Sequence, residues 1–333
     1  MKKLGIAIFG IGRMGSLHLE NIFNHKKCQI IHIYDTNEGI KNRLSKKYNL
    51  KPVSNIDDIF KDKNVDAIFI TTPTSTHFDL LKKSIKHNKQ IFCEKPIDLD
   101  LEKINTFNKE FNSYKKTFHI GLNRRFDPSL NELVKKVHNK KVGSIEKIII
   151  TSRDKSPPTL EYLKNSGGII TDCAIHDIDL LLNILKNDKI KEVFCYSSVL
   201  FDKRLIKLGD HDTVMSMFKT EKGKIAMINN SRRSAYGYDQ RVEVFGSKGM
   251  LVTKNINENY IMNYSKKSRA SEAPYLNFFL ERYEYSYKAE LNDFVKNCLN
   301  NNKASISFEN CRKAQEICSR LNYSAKTGKP VKL

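Results

Sequence analysis

The stretch KLGIAIFGIGRMG, residues 3–15, joins an apolar run to three glycines in the order G-x-G-x-x-G. A second apolar run, residues 29–34, ends at Asp35, which lies 20 residues beyond Gly15. Strand, glycine turn, helix, strand and acid at this spacing form the fingerprint of a dinucleotide-binding unit. The stretch therefore predicts a βαβ unit that holds a pyrophosphate on the N–H groups at the start of its helix.

Each residue of this fingerprint has its own role. Gly10 allows the tight turn, Gly12 lets the backbone approach the pyrophosphate, and Gly15 lets the helix pack closely on the strand. Without the flanking strand and the acid, the same glycines would also fit an ordinary strand–helix turn. Asp35 can accept hydrogen bonds from both adenosine ribose hydroxyls and would repel a 2′-phosphate. Because the next residues, 36–37, include no arginine, NAD is favoured over NADP.

Length and composition restrict the class of protein. At 333 residues the chain is long for one hydrophobic core, which favours two domains. No apolar run in the sequence approaches the roughly 20 residues that span a bilayer, so no membrane association is expected. The 7 cysteines are scattered singly without a C-x-x-C pair. This pattern indicates reduced thiols in a cytoplasmic protein, and neither a disulfide framework nor a metal site.

The formal net charge of +21 raises the question of nucleic-acid binding. The lysines are spread along the whole chain, and the sequence has no glycine–arginine tract, recognition-helix pattern or zinc-ligand spacing. We interpret the charge as a solvated basic surface that mildly attracts anions. No specific nucleic-acid partner is expected.

Apolar strands alternate with amphipathic helical segments up to about residue 122. This rhythm predicts an α/β fold, with a doubly wound parallel sheet of the Rossmann type and helices on both faces. The predicted strands are 3–9, 29–34, 65–70, 90–93 and 117–121, and the later helices are 79–86 and 100–111.

After residue 122, long alternating segments follow one another with few helices between them, which predicts an α+β domain with an open, mostly antiparallel sheet. We therefore predict an NAD-binding domain over 1–122 and a substrate-binding and oligomerisation domain over 123–333, whose C-terminal helices pack back on the first domain. The polar segment 256–275 is predicted to be an irregular loop near the active site. The other predicted elements are a helix at 128–137, strands at 145–150, 191–200, 212–218, 224–230 and 241–245, and helices at 283–299 and 309–321.

Two places in the sequence carry groups suited to proton transfer. The first is Lys95, which follows a predicted parallel strand at its carboxyl end, where open α/β sheets bind their ligands. Pro96 restricts Lys95 to an extended conformation and so fixes the direction of its side chain. Lys95 can then contact nicotinamide, a substrate hydroxyl or both, although a solvated loop lysine fits the same position.

The second place is the run 167–179, in which two glycines precede a predicted helix. Thr171 or Asp172 can start this helix, and Asp172 and His176 share one face at i and i+4, with Asp179 near the same face. A carboxylate beside an imidazole raises its basicity and orients it, which suits proton transfer near neutral pH. The alternatives are a surface ion pair, or two ligands of a metal site that lacks a third ligand at any recognisable spacing.

These motifs together resemble the glucose–fructose oxidoreductase/inositol dehydrogenase (Gfo/Idh/MocA) family. The resemblance rests on G-x-G-x-x-G, the tripeptide Glu94-Lys95-Pro96 and the Gly-Gly-x-x-x-Asp-x-x-x-His run, and it extends from Ile6 to about Leu321. Three further stretches are more selective and resemble inositol 2-dehydrogenases: residues 121–127, 152–158 and 230–241.

The resemblance implies a Rossmann domain joined to an open-faced mixed sheet, with the active site between them. Asn123 departs from the pattern, because inositol dehydrogenases often carry a larger apolar residue there. For Tyr236, packing at a strand end competes with a role as ligand. By similarity the catalytic residues are Lys95, Asp172 and His176, and the substrate contacts are Lys95, Arg124, Asp154, Asp172, His176 and Tyr236. The predicted cofactor contacts are Gly10, Ile11, Gly12, Arg13, Met14, Gly15, Asp35, Thr71, Thr72, Pro73, His77, Glu94 and Lys95.

The activity implied by the resemblance is NAD-dependent oxidation of a ring hydroxyl of a cyclic polyol, myo-inositol to its 2-keto product, by a homo-oligomer assembled as a dimer or tetramer through the open sheet face. His176 would take the hydroxyl proton while Lys95 steadies the same oxygen. Three alternatives remain at this stage: a dehydrogenase of another inositol isomer or a pyranose sugar, an NAD-dependent glycoside hydrolase, and a non-enzymatic NAD-binding regulator.

Overall fold

The computed structural model describes residues 3–51 and 53–333. The chain forms two compact units, and the structure groups residues 286–313 with the first of them. The predicted boundary between domains 1–122 and 123–333 stays a prediction. The first unit comprises the residues up to Asn123 together with Ser286–Lys313, and the second comprises Arg124–Tyr285 and Ala314–Leu333.

The first unit contains a five-stranded sheet in which every neighbouring pair of strands is parallel. Its strand order is β2-β1-β3-β4-β5, and four of the five strands are buried along their whole length. Continuous apolar strands are what a parallel sheet covered on both faces requires. The predicted doubly wound parallel sheet is confirmed. The strands are β1 (Leu4–Phe9), β2 (Cys28–Tyr34), β3 (Ala67–Ile70), β4 (Gln90–Glu94) and β5 (Phe118–Gly121).

The helices of this part include two short ones that the sequence patterns did not predict, α2 and α3. The predicted helix 100–111 is interrupted at Phe107, whose ring packs edge to face on Phe78 with 4.6 Å between centroids. The helices are α1 (Arg13–Phe23), α2 (Glu38–Lys47), α3 (Ile56–Lys61), α4 (His77–Lys86), α5 (Leu101–Thr106) and α6 (Asn108–Ser113).

The second unit contains a seven-stranded sheet in the order β11-β10-β6-β9-β8-β7-β14. Only β6 and β9 run parallel, and the other neighbouring pairs are antiparallel. The predicted open, mostly antiparallel sheet is confirmed. Its strands are β6 (Ile145–Arg153), β7 (Ile190–Ser198), β8 (Thr213–Thr220), β9 (Ile225–Ser231), β10 (Asp239–Gly246), β11 (Gly249–Val252) and β14 (Val331–Lys332).

A separate hairpin lies within the segment 256–275, for which we predicted an irregular loop. It pairs β12 (Met262–Ser265) with β13 (Ser268–Glu272). An alternation of buried and exposed residues is hard to recognise in this hairpin, because β12 is exposed on both faces.

The shorter helices of the second unit are α7 (Pro128–His138), α8 (Leu160–Asn165), α9 (Ile175–Leu185) and α10 (Phe279–Arg282).

Two longer helices precede the last strand, α11 (Glu284–Leu299) and α12 (Phe308–Thr327). In the first unit, Leu291, Phe294 and Val295 of α11 belong to the hydrophobic core that also contains β1 and α1. Within residues 3–51 and 53–333, no helix combines the length and the apolar character needed to cross a membrane.

Candidate active site

The glycine turn between β1 and α1 has little room for side chains. Gly10 has a φ of +84°, and a Cβ there would lie 2.6 Å from the Cα of Thr72. A Cβ on Gly15 would lie 1.9 Å from the carbonyl oxygen of Gly10, so only glycine lets α1 pass this close. Around Gly12, by contrast, the described residues leave 4 Å of open space beyond its chain neighbours. Open space at the N-terminus of α1 is what a pyrophosphate bound by the N–H groups of the first helical turn requires.

Asp35 follows β2 and lies next to this turn. Its Oδ2 accepts a hydrogen bond from the N–H of Ile11 at 2.6 Å, and its Oδ1 accepts one from the N–H of Asn37 at 2.8 Å. Each carboxylate oxygen has a second lone pair, so these bonds leave acceptor capacity for ribose hydroxyls. The carboxylate is therefore fixed in orientation beside the turn.

The segment that follows β3 is tied to the same turn. The hydroxyl of Thr71 lies 2.6 Å from the carbonyl oxygen of Gly10 and 2.9 Å from that of Phe9. Thr71 is buried, so these contacts hold Thr72 and Pro73 in place next to the glycine turn.

His77 connects this segment to the one that carries Lys95. It is 1% exposed, its Nδ1 lies 2.8 Å from the carbonyl oxygen of Pro96, and its Nε2 lies 2.8 Å from that of Thr72. Burial lowers the pKa of His77, while hydrogen bonding to the two carbonyls acts in the opposite direction. A hydrogen bond from either ring nitrogen to NAD would require one of these bonds to break, and the predicted contact with NAD stays a prediction.

Glu94 is the last residue of β4 and is buried. Its Oε1 lies 2.8 Å from Nε2 of His18, which belongs to α1. The carboxylate therefore links β4 to α1, and its predicted contact with NAD also stays a prediction. Lys95 follows directly, half-buried, at the carboxyl end of the parallel sheet.

In the second unit, charged side chains gather at the carboxyl ends of two central strands of the seven-stranded sheet, β6 and β9. The parallel strands β6 and β9 are in a register that places Arg153 opposite Ser231. Asp154 and Arg232 therefore leave the two strands side by side, and the N–H of Asp154 donates to the carbonyl of Ser231 at 2.9 Å.

Asp172 and His176 are four positions apart in the sequence, but they do not lie on one regular α-helix. Asp172 belongs to a π-helical turn, Ile170–Ala174, and His176 lies in the first turn of α9. The continuous α-helix that we predicted for this run is therefore wrong at Asp172, and the predicted sharing of one face by Asp172 and His176 stays a prediction. Such turns occur frequently at functional sites.

The helical segment also begins earlier than predicted. Its first helical residue is Gly168, not Thr171 or Asp172. Asp210 replaces the predicted local cap, since its Oδ1 accepts a hydrogen bond from the N–H of Ile169 at 2.8 Å. The hydroxyl of Ser166 also accepts a hydrogen bond from the N–H of Gly168 at 3.3 Å, so only the part of the cap that comes from Asp210 lacks a local sequence signal.

The carboxylate of Asp172 has partners on both oxygens. The hydroxyl of Tyr162 donates to Oδ1 at 2.8 Å, and a guanidinium nitrogen of Arg232 lies 3.7 Å from Oδ2. The thiol of Cys173 donates to Oδ2 of Asp154 at 3.6 Å. Burial and the negative charge of Asp172 raise the pKa of Asp154 to about 6. The structure thus brings the predicted residues Asp154 and Asp172 into one electrostatic cluster.

Arg124 and Asp179 have buried partners of their own. The guanidinium of Arg124 forms an ion pair with Asp177 and donates to the hydroxyl of Ser152 at 3.2 Å. Asp179, which we expected near the face of His176, instead accepts from Arg125 at 2.7 Å. The contact predicted between Arg124 and a polyol stays a prediction, and it competes with the pairing to Asp177.

Tyr236 lies in the turn before β10 and is 44% exposed. Its hydroxyl donates to Oδ2 of Asp239 at 2.8 Å and accepts from Arg153 at 2.7 Å. Burial alone would raise the pKa of Asp239, but hydrogen bonds from Arg241 and neighbouring groups lower it. Tyr236 is therefore held by polar contacts rather than by simple packing at a strand end.

The sequence did not identify three residues of this cluster, Tyr162, Asp210 and Arg232. Each comes from a different part of the second unit. Tyr162, on α8, and Arg232, which follows β9, contact Asp172 directly, and Asp210 contacts Arg232. These contacts form only when the chain is folded, so the sequence patterns did not reveal them. Arg232 lies just beyond the predicted strand 224–230 and within the stretch 230–241 that resembles inositol 2-dehydrogenases, but neither signal gave it a role.

The fold and these residues define an oxidoreductase with an NAD-binding Rossmann fold. Residues 4–122 match the model of the GFO/IDH/MocA oxidoreductase family with an NAD-binding Rossmann fold, and residues 130–252 match the GFO/IDH/MocA C-terminal domain. The chain belongs to the Gfo/Idh/MocA oxidoreductase family, as its motifs predicted, and it is an NAD-binding enzyme.

Within this family, the chain is similar to several inositol dehydrogenases. A myo-inositol 2-dehydrogenase of Thermotoga maritima is 36% identical over 330 residues, which cover 98% of this chain and 98% of that protein. The crystal structure of a myo-inositol dehydrogenase from Corynebacterium glutamicum matches with a TM-score of 0.94 at 36% identity, over 99% of both chains. The scyllo-inositol dehydrogenase of Lactobacillus casei, solved with bound NAD(H) and scyllo-inositol, matches with a TM-score of 0.92 at 26% identity, over 99% of both chains.

Proposed function

We propose that this enzyme is an inositol dehydrogenase that oxidises the 2-hydroxyl of myo-inositol to a ketone with reduction of NAD. The observation that carries the proposal is similarity to inositol dehydrogenases over 98–99% of the chain, together with the presence of Lys95, Asp172 and His176. The glycine turn supplies the space and the N–H groups that a dinucleotide requires.

In the proposed reaction, His176 accepts the proton of the ring hydroxyl, and Asp172 orients and stabilises the resulting imidazolium. Lys95 donates a hydrogen bond to the same oxygen and stabilises its developing negative charge. NAD, when bound, supplies the hydride-accepting chemistry. The protein thus contributes the base, the electrostatic stabilisation and the orientation of the polyol.

The remaining hydroxyls require polar partners. Tyr236 is exposed and Asp154 is half-buried, so both are available for a polyol. Because the pKa of Asp154 is about 6, this residue is mostly a carboxylate at neutral pH and can accept hydroxyl hydrogen bonds. Arg124 is buried against Asp177 and is proposed to contribute through that pair.

A panel of cyclic polyols tests this proposal. With NAD, myo-inositol is expected to give NADH at a higher kcat/KM than scyllo-inositol, D-chiro-inositol or glucose. A preference for another inositol isomer or for the sugar would retain the enzyme class and overturn the substrate. Cleavage of a glycoside without net NADH would support the hydrolase alternative, and NAD binding without any turnover would support the regulator.

Asp35 carries the prediction of cofactor preference. NAD should exceed NADP by at least about tenfold in kcat/KM, which corresponds to about 1.4 kcal/mol. Asp35→Asn should reduce this preference, because an amide keeps an acceptor for the N–H of Ile11 but does not repel a 2′-phosphate. Asp57→Asn, on the exposed first turn of α3, serves as the charge-matched control. Equal use of both cofactors by the wild-type enzyme would contradict this role of Asp35.

We also propose that the enzyme assembles as a dimer or tetramer through the open face of the seven-stranded sheet. Four cross-strand partners on β7, β8, β9 and β6 form a continuous apolar row on this face: Phe194, Met217, Met227 and Ile149. Met217 is 39% exposed, and none of the four is fully buried. A contiguous exposed apolar surface of this kind favours burial against another protein surface, here a second copy. We propose a cytoplasmic location as well, since no cysteine in the described part of the chain forms a disulfide.

Replacing Met217 by glutamate should shift the assembly towards monomers, because an unpaired carboxylate would be buried in the interface. Tyr323→Glu is the matched control, because it places the same charge at one exposed position on α12. Light scattering coupled to size-exclusion chromatography measures the outcome. A wild-type monomer at micromolar concentration, or an unchanged assembly in Met217→Glu, would contradict the proposed interface.

A further inference from the structure

Arg232 is a fully buried arginine at the carboxyl end of β9, with 0% of its surface exposed. Burying a guanidinium carries a large desolvation penalty unless carboxylates surround it. Here one nitrogen donates to Oδ2 of Asp210 at 3.1 Å, and another lies 3.7 Å from Oδ2 of Asp172. The same nitrogen is 3.9 Å from the sulfur of Cys173. Arg232 is therefore directed at the carboxylate that we assign to the proton-transfer site.

Asp210 fixes both Arg232 and the helix that carries Asp172. While its Oδ2 holds Arg232, its Oδ1 accepts hydrogen bonds from the N–H groups of Ile169 at 2.8 Å and His211 at 2.7 Å. A Cβ on Gly168 would lie 2.9 Å from this Oδ1, so the glycine at the start of the helix allows Asp210 to approach. One carboxylate thus sets the position of the guanidinium relative to the π turn.

Among the contacts that the structure describes, groups on three elements act on the charge of Asp172. Arg232 at the end of β9 and the hydroxyl of Tyr162 on α8 stabilise its ionised form, whereas the carboxyl group of Asp154 at the end of β6 disfavours it. Arg232 pairs with both Asp172 and Asp210. Burial raises the pKa of Asp154, but the charge of Arg232, like that of Arg124, acts to lower it. Loss of the Arg232 guanidinium would therefore remove a positive charge that acts on all three carboxyl groups. The balance of charge at Asp172 therefore depends on Arg232.

We propose that Arg232, held by Asp210, is a positioning residue that keeps Asp172 ionised and correctly oriented to act on His176. The proposal rests on the proposed function in assigning proton transfer to His176. It extends that function by adding a buried Asp210–Arg232 pair, outside the substrate contacts, which controls the pH range in which the base can work.

Removal of the guanidinium should shift the pKa values of Asp172 and His176 in a definite direction. A nearby positive charge lowers the pKa of both Asp172 and His176, so its loss raises both. Since the reaction requires ionised Asp172 and neutral His176, the acidic limb of kcat/KM should move to higher pH, by about one unit in Arg232→Met. Asp210→Asn removes a negative charge and should move the same limb to lower pH. Arg232→Lys keeps the charge, so the limb should stay in place although kcat falls.

The test measures pH–rate profiles with the best polyol and, independently, the pKa of His176 by NMR on histidine-labelled holoenzyme with NAD bound. His176→Gln identifies the resonance. Arg233→Met is the matched control, because this neighbouring arginine is exposed and stacks on Phe201 instead. Opposite shifts of the His176 pKa in Arg232→Met and Asp210→Asn, with none in Arg233→Met, are expected.

An unchanged His176 pKa in both Arg232→Met and Asp210→Asn would overturn the positioning role, whatever the effect on turnover. If Arg232→Met does not fold, the pKa of His176 in Asp210→Asn still tests the positioning role, because the proposal predicts that this pKa falls. The NMR measurement does not require turnover. Shifts without oxidation of any polyol would therefore support the electrostatic role of Arg232 and reject the proposed function.

Discussion

Replacing His176 by alanine is expected to lower kcat by about 10²–10⁴-fold, which is the usual contribution of one general base. NAD affinity should stay nearly unchanged, because the glycine turn and Asp35 are not altered. Steady-state kinetics and calorimetric NAD binding measure the two effects. His138→Ala is the matched control, since this exposed histidine contacts only the carbonyl of Asn183 among the hydrogen bonds described for it.

A double variant that combines His176→Ala with Lys95→Ala tests whether the two residues act in the same step. If Lys95 and His176 act on the same oxygen, the loss in the double variant should be much smaller than the product of the two single losses. Near-normal kcat in His176→Ala would show that proton transfer occurs elsewhere. If the loss of kcat in the double variant equals the product of the two single losses, the two residues do not act in one shared step.

Replacing Gly15 by alanine is expected to weaken NAD binding by about 10–100-fold or to prevent folding. The new Cβ would lie 1.9 Å from the carbonyl oxygen of Gly10, and α1 would have to move away from the turn. Forcing extra volume into a packed site costs about 1–3 kcal/mol, which corresponds to this range of affinity. Calorimetric binding and thermal unfolding measure the two outcomes.

Gly12→Ala provides the comparison for Gly15→Ala. A Cβ on Gly12 meets no described atom within 4 Å, so the fold and the unfolding temperature should be preserved. NAD affinity should still fall, because the methyl group would occupy the space assigned to the pyrophosphate. Wild-type NAD affinity in both variants would contradict the assignment of this turn to the cofactor.

The nucleotide-binding part of the fold could be predicted because its signals are local. The apolar strand, the glycine turn and Asp35 lie within residues 3–35, and the close approach of Gly15 to the carbonyl of Gly10 lies within the same βαβ unit. The parallel sheet followed from the same kind of local rhythm. Helices α2 and α3 were missed because one is mostly polar and the other is only 6 residues long.

The electrostatic surroundings of Asp172 could not be predicted, because they depend on long-range pairing. The parallel register of β6 and β9 places Arg232 beside Asp154, although 78 positions separate the two residues in sequence. The π turn at Ile170–Ala174 is another example, since the sequence pattern of this run fits a regular α-helix equally well. Part of its cap comes from Asp210, far along the chain.

Some predicted site residues have structural partners that a motif does not reveal. His77 bridges two backbone carbonyls, Glu94 contacts His18, and Arg124 pairs with Asp177. A motif identifies residues that matter at a site but does not separate a ligand from the group that holds the ligand in place. Burial and hydrogen-bond partners make this distinction only once the fold is known.

The most direct measurement of the central claim follows the hydrogen that leaves C2 of myo-inositol. Wild-type enzyme is incubated with NAD and myo-inositol carrying deuterium at C2, and the NADH formed is analysed by mass spectrometry. The proposed function predicts one deuterium in each NADH and a ketone at C2 of the product. NADH without deuterium, or no NADH at all from this substrate, would contradict it.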